Sequence, residues 1–317
     1  MYHFFHKYNL NNILFMSNKS KNKNIDLLCT LNLSSKNSFE FFNESTRDSS
    51  DLEVLKCNMS GVIVLKECLI TDEYYENNTS YATNFFRDNT VTVNGVIKSQ
   101  PLEDDIRRFE THKDLITGSR ILDFGCGRGD FIRLSKEVSK QSVGLEINNT
   151  NREFLNNNGI ECVSSLSELN DEKFDLITLF HVFEHLNDPI NILSEIKKYL
   201  KDDGIIIIEV PNAKDILLET FNLKSFKNFI LWSEHLILHT KGSLEAFASN
   251  SGLKTRNIKG IQRYPISNHF NWLLNNQPSG HEIFSSLNND EFHEHYEIFL
   301  DKINQTDTII GYFNKNI

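Results

Sequence analysis

The sequence predicts an α/β fold built on a mostly parallel sheet with helices on both faces. Three observations predict it. Between about residues 101 and 212, short apolar runs alternate with helical patterns, the arrangement that produces parallel strands. The runs RILDFG, SVGLEI, FDLITLF and GIIIIEV are rich in apolar residues and alternate little, as strands buried on both faces do. ILDFGCGRGDF, residues 121–131, places three glycines at alternate positions between a strand and a helix.

RILDFG is the first strand. Glycine permits positive φ and close approach of a ligand to the backbone, and a helix N-terminus behind such a turn favours an anionic or polar group. Gly125, Gly127 and Gly129 therefore read as a ligand cradle rather than a bare tight turn. Phe131, Ile132 and Leu134 begin the helix that follows. SVGLEI is the second strand and ends at Glu146, where nucleotide-binding α/β folds place an acid that accepts hydrogen bonds from ribose hydroxyls. IECVSSL supplies a third strand, FDLITLF a fourth and GIIIIEV a fifth. PINILSEIKKYLKDDG is an amphipathic helix with Pro189 at its start and Gly204 beyond its end. From about 213 to 317 come a helical segment, an aromatic-rich stretch and a last strand, TDTIIGYFNK (306–315).

The glycine spacing narrows the ligand. A dinucleotide fingerprint runs G-x-G-x-x-G, whereas these glycines stand two apart with Asp123 before the first, which argues against a dehydrogenase. The pattern resembles the class I S-adenosylmethionine-dependent methyltransferases, whose first motif runs acidic-x-Gly-x-Gly-x-Gly. Glu146 matches that family's ribose-binding acid. FDLITLFHVFEHLNDP (174–189) matches its fourth strand and following loop, and KDDGIIIIEVPN (202–212) its fifth strand. KGSLEAFASNSGLKTRNI (241–258) matches the next helix and strand more loosely. The resemblance implies a Rossmann-like fold of seven strands, LKTRNIKG and DTIIGYF supplying the sixth and the antiparallel seventh, and S-adenosyl-L-methionine as cofactor. It implies cofactor contacts from Asp123, Gly125, Cys126, Gly127, Gly129, Glu146, Ile147 and Phe180. Ser165 and Leu166 stand in the turn after the third strand, where the family's usual acid is missing. Inserts at about 213–235 and 262–305 are expected over the carboxyl ends of the strands, where open α/β sheets bind ligands.

Residues 1–24 are expected to form a disordered tail, with Met16 as an alternative start. Residues 25–100 form an N-terminal region ahead of a methyltransferase domain over 101–317. In that region LCTLN (28–32), KCNMSG (56–61) and the tyrosines of DEYYENNTSY resemble the paired C-x-x-C zinc module of some sugar methyltransferases. The ligand positions hold Cys29, Asn32, Cys57 and Ser60. Two thiolates fall short of the four ligands of a closed zinc site, so no metal is expected.

Methyl transfer to a hydroxyl needs in-line alignment and a base for the proton. His181, directly after the fourth strand, and His235, in WSEHLILHTKGSLEAF, are the candidate catalytic bases. His181 serves equally well as a pocket wall. Glu184 and His185 read as capping groups of the next helix, and His239 as a companion of the Thr240 cap. Tyr264, His269, Trp272 and His281 combine aromatic faces with hydrogen-bonding groups, which suits a sugar; Trp272 reads as an anchor of its insert. Their stretch resembles a segment in methyltransferases of bacterial surface-polysaccharide pathways. His293 and His295 point to different sides of a helix and read as a solvated face.

Composition limits the rest. A net charge of −10, with no Lys/Arg cluster beyond residues 19–23, disfavours a nucleic-acid substrate. The missing Asn-Pro-Pro-aromatic after the fourth strand also argues against a nucleic-acid amino methyltransferase. No apolar run reaches bilayer length. The five scattered cysteines fit a reducing cytoplasm. The expected function is methyl transfer to a small molecule, foremost a sugar or nucleotide-sugar of surface glycan synthesis. The alternatives are O-methylation of a quinone precursor or lipid-like phenol, whose enzymes HVFEHLNDP also resembles, and a non-catalytic cofactor-binding partner subunit. A large exposed apolar entrance would favour the quinone reading, and a polar aromatic cleft the sugar.

Overall fold

Seven strands form one sheet in the computed structural model, which describes residues 20–69, 72–77, 90–93, 96–99 and 101–316. In chain order they are β1 (Arg120–Phe124), β2 (Gln141–Leu145), β3 (Cys162–Val163), β4 (Phe174–Phe180), β5 (Leu200–Pro211), β6 (Leu253–Ile261) and β7 (Thr308–Lys315). Their spatial order is β3-β2-β1-β4-β5-β7-β6. β7 runs antiparallel to β5 and β6, and every other pairing is parallel. This is the expected seven-stranded, mostly parallel α/β sheet.

The helices that matter here are α1 (Lys23–Thr30), α2 (Glu103–Ile116), α3 (Asp130–Lys136), α4 (Asn149–Asn157), α5 (Pro189–Ile196), α6 (Lys241–Asn250), α7 (Ile266–Asn275) and α8 (Asp290–Lys302). Successive strand residues point to opposite faces. On one face Ile121, Leu176 and Ile207 pack with Phe109 of α2, Ile132 of α3 and Leu155 of α4. On the other, Leu122, Ile177 and Ile208 pack with Leu193 of α5, Phe247 of α6 and Val64 of the N-terminal region. Both parities must therefore be apolar, which is why the runs alternate so little.

Two boundaries differ from expectation. α5 stops at Ile196, and residues 200–203, read as the helix end, belong to β5 together with Gly204, because Leu200 is fully buried in the core against β4. β3 is shorter than IECVSSL, because Ser164 leaves the ladder and gives its amide to the Glu168 carboxylate at 3.2 Å.

The N-terminal region forms an antiparallel sheet of Phe39–Asn43, Val54–Cys57 and Ile63–Leu65, and its fourth strand is Ile237–Leu238. The segment just after His235 is thus pinned to this sheet. Of the expected tail, residues 20–24 are structured: Ser20–Lys21 pairs with Glu67–Cys68, and the Asn22 amide donates to the carbonyls of Leu65 (2.9 Å) and Leu236 (2.7 Å). Residues 1–19, with Met16, lie outside the described residues, as do residues 78–81 of the tyrosine stretch. The two cysteine turns are formed, with Asn32 and Gly61 in the left-handed region. Their thiols face serine hydroxyls, Cys29 at 3.3 Å from Ser34 and Cys57 at 3.3 Å from Ser38. Among the described residues no helix is long and apolar enough to cross a membrane.

Thr308 pairs with both Pro211 and Ile261, so the segment between β6 and β7 leaves and rejoins the sheet at the carboxyl end of β5. That end also carries the glycine turn and His181.

Candidate active site

The glycine turn closes on β2. The amides of Gly125 and Cys126 donate to the carbonyl of Leu145 (2.8 and 3.1 Å), and that of Gly127 to Glu146 Oε2 (2.8 Å). The second Glu146 oxygen accepts from the Asn148 amide at 2.8 Å. All three glycines have φ between 53 and 74°. A Cβ on Gly125 would stand 2.5 Å from Val182, and one on Gly129 2.4 Å from Leu155, but one on Gly127 would meet nothing within 4 Å. Gly125 and Gly129 are needed for packing, while Gly127 borders open space against which a ligand could lie.

Asp123 is buried beneath the turn and accepts from Thr178 Oγ at 2.6 Å. Burial pushes its carboxyl up to about 7 and also raises that of Glu146. Nearby cations do not outweigh the desolvation of either acid, so this side suits a ligand that brings positive charge. The Ile147 carbonyl accepts from Arg152 at 3.1 Å, and Cys126 Sγ lies 3.8 Å from Cys162 Sγ. Ser165 and Leu166 open a short 3-10 turn past β3. Phe180, ending β4, lies edge-on to Phe131 at 5.0 Å and under the Arg108 guanidinium at 4.8 Å.

The β4–β5 side is organised differently. His181 has φ 53°, in the region that side chains with a Cβ avoid; among the described residues the other non-glycine cases are asparagines and Ser279. Its amide donates to the Glu209 carbonyl at 2.8 Å. The Glu209 side chain is fully buried and accepts from Arg107 (2.8 Å) and Arg108 (3.0 and 2.8 Å) of α2. Burial would raise this carboxyl, but Arg108, Arg107 and His181 outweigh it and hold it at about 2. Arg263, just after β6, pairs with Asp104 (3.1 Å) and Asp307 (3.4 Å) and reaches His181 Nε2 at 3.4 Å.

Glu184 corrects its reading as a helix cap. α5 starts at Pro189 with Asp188 at its N-cap, and the Glu184 carboxylate turns inward, 3.2 Å from His181 Nδ1 and 3.9 Å from His185 Nε2. The His185 and His235 rings meet edge-on at 5.1 Å. From the N-terminal region, Tyr75 Oη lies 3.2 Å from His185 Nδ1, and Tyr74 Oη donates to Glu234 at 3.0 Å. Burial and the neighbouring His185 pull His235 down to about 4. Glu184, His185 and His235 also present ligand-capable atoms within 4.8 Å of one another. The 3.9 Å between Glu184 Oε1 and His185 Nε2 is wider than the roughly 3.4 Å between ligands of a tetrahedral zinc.

A model of the methyltransferase-domain family matches residues 98–274, more than half of the chain. The chain belongs to that family. It is a class I S-adenosylmethionine-dependent methyltransferase. The ubiquinone biosynthesis O-methyltransferase of Haemophilus ducreyi is 24% identical over 210 residues, 57% of this chain and 85% of that protein. The uncharacterised protein MJ0638 of Methanocaldococcus jannaschii is 34% identical over 125 residues, 39% of this chain, which spans about half (52%) of its length. A solved methyltransferase from Archaeoglobus fulgidus aligns with a TM-score of 0.45 at 22% identity, covering 66% of this chain and 92% of that one.

The residues present fit the methyltransferase cofactor. Open space over Gly127, the buried Glu146 beside it and two acids short of positive charge suit an adenosyl sulfonium. Of the two candidate bases, both face Glu184. His239 is buried against Phe183 and bonds Ser243, within the capping box of α6. Trp272 is an anchor, 5.1 Å from both Phe226 and Phe229. His269 bonds Tyr296 Oη at 2.6 Å, and His281 lies 5.7 Å from Tyr264. Residues missed at the sequence level are Arg107, Arg108, Glu209, Arg263 and the roles of Glu184 and Tyr75. One signal was available: Glu209 interrupts IIIIEV, and a charge in a strand buried on both faces needs a partner.

Proposed function

We propose that this methyltransferase O-methylates a phenolic acceptor of the quinone-precursor kind, with His181 as the base. One observation carries the acceptor class. The segment between β6 and β7 rejoins the sheet at the site's end and exposes Phe270, Leu273, Leu274, Phe292 and Phe299, with Leu274 at 70% exposure. Exposed apolar side chains on the segment that borders the site suit an acceptor with an apolar body. The name of the Haemophilus ducreyi relative supports the same class.

The bound cofactor supplies an electrophilic methyl group. Gly127 and Glu146 would hold its methionine and ribose portions, with Asp123, Gly125, Cys126, Gly129, Ile147 and Phe180 shaping that half. Ser165 and Leu166 remain the proposed adenine-side contacts. His181 Nε2 would take the acceptor's hydroxyl proton, the hydroxyl replacing the long Arg263 contact. His235 is the poorer base, because a group held near 4 is weakly proton-seeking at neutral pH, and it serves as pocket lining.

A sugar or nucleotide-sugar acceptor is the second reading, favoured by the paired Tyr264 and His281 rings. The test is turnover with methyl-labelled S-adenosylmethionine, offering catechols with and without an apolar tail beside a pool of nucleotide-sugars. Label on a phenolic oxygen is expected. Label on a nucleotide-sugar alone would replace the acceptor class, and no label on either would overturn the small-molecule reading.

A further inference from the structure

Glu184 has no role in the cofactor half, and it caps no helix. Its side chain is fully enclosed. Burial would raise the carboxyl, but the hydrogen bond from His181 and the charges of His185, His181 and His235 hold it at about 2. Its Oε2 has no hydrogen-bond partner among the described residues. An ionised carboxylate is costly to enclose unless its neighbours compensate, and the largest compensation here comes from imidazoles.

The neighbours of His181 define its tautomer. Nδ1 lies 3.2 Å from Glu184 Oε1, and a carboxylate only accepts. Nε2 lies 3.4 Å from Arg263 Nη1, and a guanidinium only donates. Both contacts require the proton on Nδ1 and the lone pair on Nε2. One group opposes them: Glu209 Oε1 is 3.6 Å from Nε2, but it is already engaged by Arg107 and Arg108 of α2. Among the described residues the other charged or titratable neighbours are Asp104 of α2, itself paired with Arg263, and His185 and His235 around Glu184.

We propose that Glu184 is a positioning residue that fixes His181 in the Nδ1–H tautomer, so that Nε2 presents its lone pair to the acceptor. The proposal rests on His181 being the base in the reading above. The acceptor's O–H bond breaks, its proton goes to Nε2, and the oxygen electron pair forms the new bond to the methyl carbon. Glu184 stays ionised throughout and stabilises the imidazolium, as a carboxylate behind a catalytic histidine does.

The test is a long-range proton–nitrogen NMR spectrum of the full chain labelled with [15N]histidine and saturated with S-adenosylhomocysteine. A His181→Gln variant assigns the resonances. Wild type is expected to show His181 as Nδ1–H, Glu184→Leu a mixture of tautomers, and Glu184→Gln, which keeps an amide oxygen, an intermediate pattern. An Nε2–H ring in wild type, or a ring still wholly Nδ1–H in Glu184→Leu, would overturn the proposal. Should Glu184→Leu not fold, the Glu184→Gln and wild-type spectra decide it by the same criterion. Turnover of a catechol separates the two ideas. Glu184→Gln is expected to lower kcat by about 100-fold with KM little changed. Undiminished turnover in His181→Ala beside a wild-type Nδ1–H ring would remove the base and leave the positioning role standing.

Discussion

The two halves of the carboxyl-end site treat buried acids in opposite ways. Under the glycine turn, Asp123 is pushed up to about 7 and Glu146 is raised, because burial outweighs the protein's own cations there. Across β4, Glu184 and Glu209 are equally enclosed yet held at about 2 by histidines and by the arginines of α2. Asp123 and Glu146 are short of positive charge, whereas Glu184 and Glu209 are surrounded by it, although Asp307 and Glu234 on their side are also raised by burial. A charge-incomplete pocket fits a cationic cofactor. A charge-complete frame fits a constellation that must hold its side chains still before any acceptor arrives.

The contrast is broken most directly at His181. His181→Ala is expected to lower kcat on a catechol by about 100- to 10,000-fold, while S-adenosylhomocysteine binding stays near wild type. Turnover and calorimetry on the same preparation check both parts. Glu209→Ala leaves Arg107 and Arg108 with only Asp104 and Asp105 of their own helix, and loss of one partner of a buried pair costs up to about 3–5 kcal/mol, read by denaturant unfolding. Glu146→Ala acts on the other half. Loss of a buried carboxylate acceptor is expected to weaken S-adenosylhomocysteine by about 10- to 100-fold in calorimetry, with the melting temperature little changed.

The smallest effect is the pH dependence of the cofactor-free protein. Glu184 and Glu209 have folded values below their unfolded value of 4.5, so their contribution is present above that value and lost as pH falls towards 2. Asp123 has the opposite sign. Its folded value lies above the unfolded 3.8, so the folded state binds the extra proton and stability drops as pH rises from about 4 to about 7. Asp123→Asn should flatten that upper decline and leave the acid limb in place; urea midpoints from pH 3 to 8 would show whether it does.

The unequal halves were also unequally legible. The glycine turn, Glu146 and the succession of strands along the chain follow from local spacing, because backbone geometry demands glycine where φ is positive or another segment passes close, as Val182 does at Gly125. The histidine half is assembled from long-range contacts: Arg108 meets Glu209 across 101 residues, Arg263 meets His181 across 82, and Tyr75 meets His185 across 110. No periodicity reports such pairings. Glu184 was misread for a related reason, since an acid shortly before a helix reads as a cap unless the fold shows it turned inward. The N-terminal sheet was hidden likewise, its fourth strand coming from Ile237–Leu238.

The charge-incomplete half can be tested without an acceptor. S-adenosylmethionine would be titrated into the protein by calorimetry at pH 6.5, in two buffers of different ionisation enthalpy. A cationic ligand should ionise Asp123, so protons should be released on binding, fewer with the neutral thioether S-adenosylhomocysteine and almost none in Asp123→Asn. Heats that do not depend on the buffer, or a release that persists in Asp123→Asn, would contradict the division of the site into a half that awaits positive charge and a half that carries its own.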